Sequence, residues 1–242
     1  MTTALTQMAA LRNQILAGLP RENYSSLFSH LRPVSLNAHN ILYNVEDDIR
    51  CAYFIDTGIA SLMSTNTEGN SIEIGNVGME GMIGIPVLLR QAKMPYQVVM
   101  QVPGDALAVS AEILRQEFER EGELKNRLLS YTHALAIYMS QLGVCNHFHT
   151  VEKRLCRWLL ISSDRVQSHR FHLTHESLSH VFGTGRTGVT RAATKLQRLG
   201  LIEYHRGQIT ILDRSAMEAM SCDCYRITIE VFGHYLGPPS PL

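Results

Sequence analysis

The stretch Leu173–Leu212 reads LTHESLSHVFGTGRTGVTRAATKLQRLGLIEYHRGQITIL, and its spacing decides the fold of the second half of the chain. Thr174 is of a type that caps helix N-termini, and Leu178 and Phe182 give the next eight residues one apolar side. Gly183 can take the left-handed conformation that ends a helix. A turn over 183–185 leads to a second helix over 186–199, whose buried face carries Val189, Ala192, Ala193, Leu196 and Leu199. Ser179 is small where the two helices must cross closely. Two helices joined by a short Gly-containing turn make a helix-turn-helix. Gly200 stops the second helix, and IEYHRGQITIL forms two short strands around Arg206-Gly207, a β wing.

The open face of the second helix bears Arg186, Thr187, Thr190, Arg191 and Lys195, with Arg198 further along. Its N-terminal end is the end that a recognition helix pushes into the DNA major groove. There a guanidinium can bond guanine O6 and N7 with two parallel N–H groups. Arg186, Thr187, Thr190 and Arg191 are therefore the expected base readers. Thr174, Lys195, His205 and Arg206 suit contacts to the phosphate backbone, which fix position rather than sequence.

Upstream, VEKRLCRWLLI over 151–161 is a helix with Thr150 as its candidate cap. Before it lies the most regular pattern in the chain. Leu124, Leu128, Tyr131, Leu135, Tyr138, Leu142, Cys145 and His149 alternate spacings of four and three, the seam of a long helix, and the seam residues through Cys145 are assigned to a dimer contact. A second stripe, Leu129, Ala136 and Gly143, lies on another face and is free to dock on the preceding domain. Ser110 is a candidate cap for SAEILRQEFEREGELKN, with acids early in the helix. Residues 33–110 alternate short apolar runs with Gly, Asn, Asp and Pro, the spacing of an antiparallel sandwich or barrel, with a hairpin turn at Thr67–Asn70. Residues 5–31 are helical in pieces, with Leu5, Met8, Leu11, Ile15 and Leu19 near helical spacing. A helical segment around Met217–Tyr235 and a frayed GPPSPL close the chain.

At 242 residues, 45% hydrophobic and 18% charged, the chain has an ordinary globular composition. No apolar run reaches the roughly 18 residues of a membrane span, and no signal segment opens the chain, so a cytoplasmic protein without membrane contact is expected. Residues 1–149 hold 10 Lys/Arg against 14 Asp/Glu, and residues 150–242 hold 12 against 8. A mildly acidic part thus precedes a basic one able to meet phosphate. Five cysteines, an odd number, read as free thiols rather than a disulfide framework.

The order of β domain, long helix and winged helix-turn-helix resembles the cyclic-AMP receptor/Fnr (Crp-Fnr) superfamily of bacterial transcription regulators. The resemblance spans nearly the whole chain and is most specific at FGTGRTGVTRAATKLQRLGLIEYHRGQITILDR and VEKRLCRWLL. It implies an α+β architecture: a β-roll with N-terminal helices over 1–110, a long dimerisation helix over 111–149, and a winged helix-turn-helix with a helical tail over 150–242. It further implies a homodimer reading a near-palindromic operator in double-stranded DNA. RNA polymerase is a partner such a regulator can meet.

Departures from the family pattern narrow the function. Relatives that bind cyclic nucleotides carry a Gly-Glu pair and then Arg-Ser, the arginine neutralising the phosphate. Here Gly84 is followed by Ile85, and the Arg-Ser position falls on Tyr96-Gln97. Without a paired cation a buried phosphate is costly, so cyclic AMP and cyclic GMP are not expected as ligands. Gly84, Ile85, Tyr96, Gln97, Met139 and Ser140 remain the candidate lining of an effector pocket whose ligand is unknown. Thr187 stands where well-known members carry a glutamate that reads cytosine, so the half-site should differ from theirs. No cysteine precedes Cys51, which excludes the N-terminal iron–sulfur ligation of the oxygen sensors on count.

A rival reading makes the protein a metal or redox sensor on the same scaffold. CNHFHTVEKRLC, 145–156, holds Cys145, His147, His149 and Cys156. Cys145 and His149 share a helix face and can meet their counterparts across the dimer seam. His147 points away, and Cys156 lies beyond the break at Thr150, so the stretch reads as a hinge, and no metal or cofactor is assigned. Cys222 and Cys224, two apart on an expected helix, diverge and are read as packing. A winged helix that contacts another protein is the third reading. No G-x-S-x-G, phosphate loop or H-E-x-x-H occurs, so no enzyme is expected.

Overall fold

The computed structural model describes residues 11–20 and 24–237. The expected helical positions Leu5 and Met8, and all but the first residue of GPPSPL, lie outside them. Two short helices, α1 (Gln14–Ala17) and α2 (Ser25–His30), lead into eight strands. These are β1 (Arg32–Leu36), β2 (Ile41–Tyr43), β3 (Cys51–Ile55), β4 (Ile59–Thr65), β5 (Ser71–Val77), β6 (Met82–Ile83), β7 (Gln97–Val102) and β8 (Gly104–Ser110), with a 3-10 turn over Ile85–Leu89. They form two four-stranded antiparallel sheets, ordered β1-β8-β3-β6 and β2-β7-β4-β5. The turn read at Thr67–Asn70 joins β4 to β5, with Gly69 at φ +86°.

The segment read as one long helix is two. Ser110 caps α3 (Ala111–Glu119) by accepting the Ile113 N–H at 3.2 Å. The chain then turns extended at Arg120, and α4 (Glu123–Phe148) begins after Gly122. α5 (Val151–Val166) follows His149-Thr150 and runs five residues past the expected end, to a left-handed Gln167. The C-terminal part contains β9 (Arg170–His172), α6 (His175–Phe182), α7 (Arg186–Arg198), β10 (Ile202–His205), β11 (Gln208–Ile211), α8 (Arg214–Met220) and α9 (Cys224–Leu236). The wing is three-stranded, ordered β10-β11-β9. Its third strand was not read from the sequence, because three residues are too few for alternation to register.

The two stripes of α4 exchange roles. Leu124, Leu128, Tyr131, Leu135, Tyr138, Leu142 and Cys145, read as a dimer seam, are each at most 4% exposed within a single chain. Residues already covered by their own chain leave nothing for a second copy to cover. Tyr131 donates to the Met82 carbonyl at 3.2 Å, and its ring occupies the space a Cβ at Gly81 would need. Tyr138 donates to Asn76 Oδ1 at 2.7 Å and meets Phe232 of α9 edge-on at 5.7 Å. The stripe expected to dock inward, Leu129, Ala136 and Gly143, is the exposed one. Val144 and Phe148 extend that face, the latter 72% exposed.

α5 ties the sheets to the C-terminal part. Trp158, Leu155, Leu159 and Leu160 share one apolar cluster with Phe182, Val189 and Leu196, and Ile59 and Val102 of the sheets belong to it too. Cys156 is buried in this cluster, as its place in VEKRLCRWLL suggests. The Trp158 indole donates to the buried Glu73 carboxylate at 3.1 Å, and Arg165 pairs with Glu80 at 2.8 Å. Gly78 gives Arg165 room, since a Cβ there would lie 2.8 Å from its side chain.

Burial pushes the Glu73 carboxyl up to about 7, outweighing hydrogen bonds from Ser61 and Trp158 and the charges of Arg157 and Arg165. Its folded pKa stands above the unfolded value, so between pH 4.5 and 7 the folded chain holds the extra proton. The stability from that proton is complete below pH 4.5 and lost as pH rises through 7. The shift corresponds to roughly 3 kcal/mol. Urea unfolding at pH 5.5 and 8 should therefore show a fall in stability that Glu73→Gln flattens, because the amide keeps an acceptor for Trp158 without a charge to bury. An equal fall in the variant would assign the slope to other groups.

Candidate nucleic-acid interface

The helix-turn-helix forms over the residues that its turn chemistry specified. Thr174 caps α6, its hydroxyl accepting the Ser177 N–H at 3.1 Å. Gly183 is left-handed at φ +57° and its N–H closes the helix on His180 O. α7 begins at Arg186 after Gly185, and Val189, Ala192, Ala193 and Leu196 face the core. Leu199, expected on that face, is exposed: it lies just past the last helical residue and caps the helix with its backbone.

Arg186, Thr187, Thr190 and Arg191 are all exposed on the N-terminal half of α7. The unpaired N–H groups of a helix N-terminus attract phosphate as well. Thr190 is partly committed: it donates to Arg186 O at 2.9 Å and contacts His175 Nδ1 at 3.1 Å. His175 stacks on Tyr204 of the wing at 4.5 Å, and burial and Arg186 lower its pKa. The sequence reading did not single out this His175–Tyr204 stack, which joins α6, α7 and the wing. A histidine directly after the cap and an aromatic in the first wing strand were the available signal.

Of the expected backbone contacts, Lys195 is exposed and lies 3.8 Å from Glu152, and His205 and Arg206 are exposed on the wing. The wing turn is two residues long, Arg206 at φ +48° and Gly207 at φ +81°, the left-handed pair of a tight hairpin. His172 packs so closely on Gly207 that a Cβ would sit 2.5 Å from its Nε2. The turn places Arg206 at the tip of the wing. The Thr174 hydroxyl is engaged by its own helix.

Of the candidate effector residues, Ile85, Tyr96 and Met139 share one core cluster, and Ser140 lies on the exposed surface. Gly84 is left-handed and abuts Ala52, and Ile85 is buried in the core. Tyr96 packs against the same core, and Gln97 donates to Asn44 at 3.1 Å at a groove shared with Thr174 and His180. Met139 lies against Gly75. Ser140 is exposed on α4 and donates to Ala136 O at 2.9 Å. Arg90 and Lys93, the cations nearest in sequence, are exposed beside Glu119 and Asp48.

The cysteines also depart from the reading. Cys222 precedes α9 rather than lying on it, so Cys222 and Cys224 converge. They meet Cys145 and His149 of the same chain.

Residues 153–220 match the Crp-like helix-turn-helix domain, and residues 33–121 match the cyclic nucleotide-binding domain. Among solved structures, the chain is similar to FixK2 from Bradyrhizobium japonicum, with TM-score 0.68 and 13% identity over 79% of this chain and 98% of that one. It is similar to TTHB099, a CRP-family transcriptional regulator from Thermus thermophilus, with TM-score 0.66 and 16% identity over 78% and 96%. A Crp/Fnr-family chain from Eubacterium rectale superposes with TM-score 0.65 and 19% identity over 85% and 96%. At these identities the structural likenesses establish the fold alone. No curated protein matches the sequence. No helix among the described residues is long and apolar enough to cross a membrane.

Proposed function

This chain belongs to the Crp-Fnr superfamily of DNA-binding transcription regulators, and on that premise we propose that two copies pair and set their α7 helices into successive major grooves of a near-palindromic operator. The observation that carries the reading is the open N-terminal half of α7, where Arg186, Thr187 and Arg191 are exposed beside the wing tip. Arg186 reads a base, and Arg191 reads a base or holds a phosphate; Lys195, His205 and Arg206 hold phosphates. Mobility shifts on duplexes from the promoter beside its own gene test this. Affinity should fall linearly on a log–log salt plot, as released counterions require. A flat salt response would reject the DNA interface.

The partner surface is the exposed face of α4. Leu129, Ala136, Gly143, Val144 and Phe148 lie there, apolar groups with small residues between them that let a second helix approach closely. Ala136→Glu places a charge in that contact. In light scattering after gel filtration it should convert a dimer to a monomer while the chain stays folded, and an unchanged dimer would move the interface elsewhere.

The effector is not cyclic AMP. Residues 33–121 carry the fold of a cyclic nucleotide-binding domain, yet a buried hydrocarbon, Ile85, follows Gly84, and neither Tyr96 nor Gln97 supplies a cation. Added cyclic AMP should leave the mobility shift unchanged.

A further inference from the structure

Four side chains from two distant segments converge where α4 ends. Cys145 and His149 are one helical turn apart at the end of α4, and Cys222 and Cys224 flank Asp223 at the start of α9. Their ligand atoms all lie within 4.8 Å of one another. Cys145 Sγ is 3.6 Å from Cys222 Sγ, and Cys224 Sγ is 3.5 Å from His149 Nδ1.

The 3.6 and 3.5 Å separations match two edges of a tetrahedron around one ion, and the bound of 4.8 Å keeps all four atoms within reach of a single ion. Zinc takes sulfur at about 2.3 Å and imidazole nitrogen at about 2.0–2.1 Å, so tetrahedral geometry sets S–S edges near about 3.8 Å and S–N edges near about 3.5 Å. A disulfide needs its sulfurs about 2.05 Å apart, much closer than Cys145 and Cys222 stand. An iron–sulfur cluster divides its four protein ligands among two or four irons and so spreads them further than this group allows. Three thiolates and one imidazole are a soft donor set that selects zinc over magnesium or calcium.

The surroundings supply an independent mark. Arg157 is 2% exposed, and its Nε and Nη1 have no hydrogen-bond partner among the described residues. Its charge is felt at both Cys145 and Cys222. A buried guanidinium lacking an anion is costly. Three thiolates, a neutral imidazole and a divalent ion sum to one negative charge, a counter-charge for Arg157 in addition to Glu73, whose carboxyl is kept protonated by burial up to about pH 7. Gln141 Nε2 already lies 3.2 Å from Cys224 Sγ, the outer-shell donor that a thiolate ligand calls for.

We propose that Cys145, His149, Cys222 and Cys224 bind one zinc ion per chain, in a closed four-ligand site that clamps the start of α9 to the end of α4. The site abuts His149-Thr150, where α4 gives way to α5 and the helix-turn-helix. Occupancy therefore fixes the angle at which the DNA-binding part leaves α4. The site uses every ligand position, so the metal is structural and carries no bound water.

The test reads metal without reading DNA, so its outcome is separate from that of the regulator assignment. Protein purified under reducing, oxygen-free conditions should contain about one zinc per chain by elemental analysis, the stoichiometry of a closed site. The metal-stripped full chain titrated with cobalt should develop the intense visible bands of tetrahedral cobalt thiolate, saturating at one equivalent. Cys222→Ser together with Cys224→Ser should weaken binding beyond the roughly 10–100-fold that losing an outer-shell partner costs. His149→Cys should retain the metal, and Cys156→Ser should bind as the parent does. A folded parent chain that takes up neither zinc nor cobalt would overturn the proposal. So would a Cys145–Cys222 disulfide found by non-reducing mass spectrometry in that preparation, which would make the pair a redox couple instead.

Discussion

Replacing Arg186 and Arg191 together by alanine is expected to abolish specific duplex binding while leaving the melting temperature unchanged. Both side chains are exposed, and neither supports the core. A bidentate arginine–guanine contact is worth about 1–3 kcal/mol of discrimination, so losing two such groups should cost about 100-fold or more in operator affinity. The single variants separate the roles. If Arg186 reads a base, Arg186→Ala relaxes sequence preference at one position of each half-site and leaves the salt slope nearly intact. If Arg191 holds a phosphate, Arg191→Ala weakens all sequences alike and lowers the salt slope by about 1. Retained operator affinity in the double variant would remove α7 from base reading.

The largest effect on stability is expected at Arg165. It pairs with Glu80 at 2.8 Å, both side chains under a tenth exposed, and donates to Asn76. Its guanidinium also lies over the rings of Tyr138 and Phe232, 5.5 and 5.6 Å from their centroids. Arg165→Met keeps most of the volume and strands the Glu80 carboxylate. Breaking a buried pair from one side costs about 3–5 kcal/mol, mostly the uncompensated charge. In a chain of this size that lowers the melting temperature by about 6–20 °C. Adding Glu80→Gln should recover part of the loss, because the stranded charge is gone. If the double variant is no more stable than Arg165→Met alone, the pair is not what holds α5 to the sheets.

How much of this was legible in the sequence depends on the range of each signal. The helix-turn-helix is written in local chemistry: a Thr cap, a left-handed Gly183 and an apolar side all act within a dozen residues. The strands of 33–110 declare themselves by alternation and turn residues at short range. The two stripes of α4 share one period, and periodicity says which residues face together but not what they face. The larger side chains, Tyr131 and Tyr138 among them, went to the intramolecular core because only their bulk fills the space beside Gly81 and under Phe232. Ala136 and Gly143 were left outside, together with Leu129, Val144 and Phe148. The effector lining rests on aligned positions, which say nothing of the helix face: Tyr138 is buried and Ser140, two residues on, is exposed. The Cys145–Cys222 approach spans 77 residues of chain, out of reach of any spacing rule. The same range hid the Glu73–Trp158 bond across 85 residues.

Ile59 and Val102 sit in one apolar cluster with Trp158, Phe182 and Leu196. The DNA-reading part is therefore no interchangeable cassette. A chimera that grafts it onto a foreign sensor would bare the Trp158 side of α5, and a sensor stripped of it would expose Ile59 and Val102. Such exchanges would need those contact positions transplanted along with the graft. A change at Ile59 or Val102 therefore bears on the fit of α5, since neither surface is finished without the other.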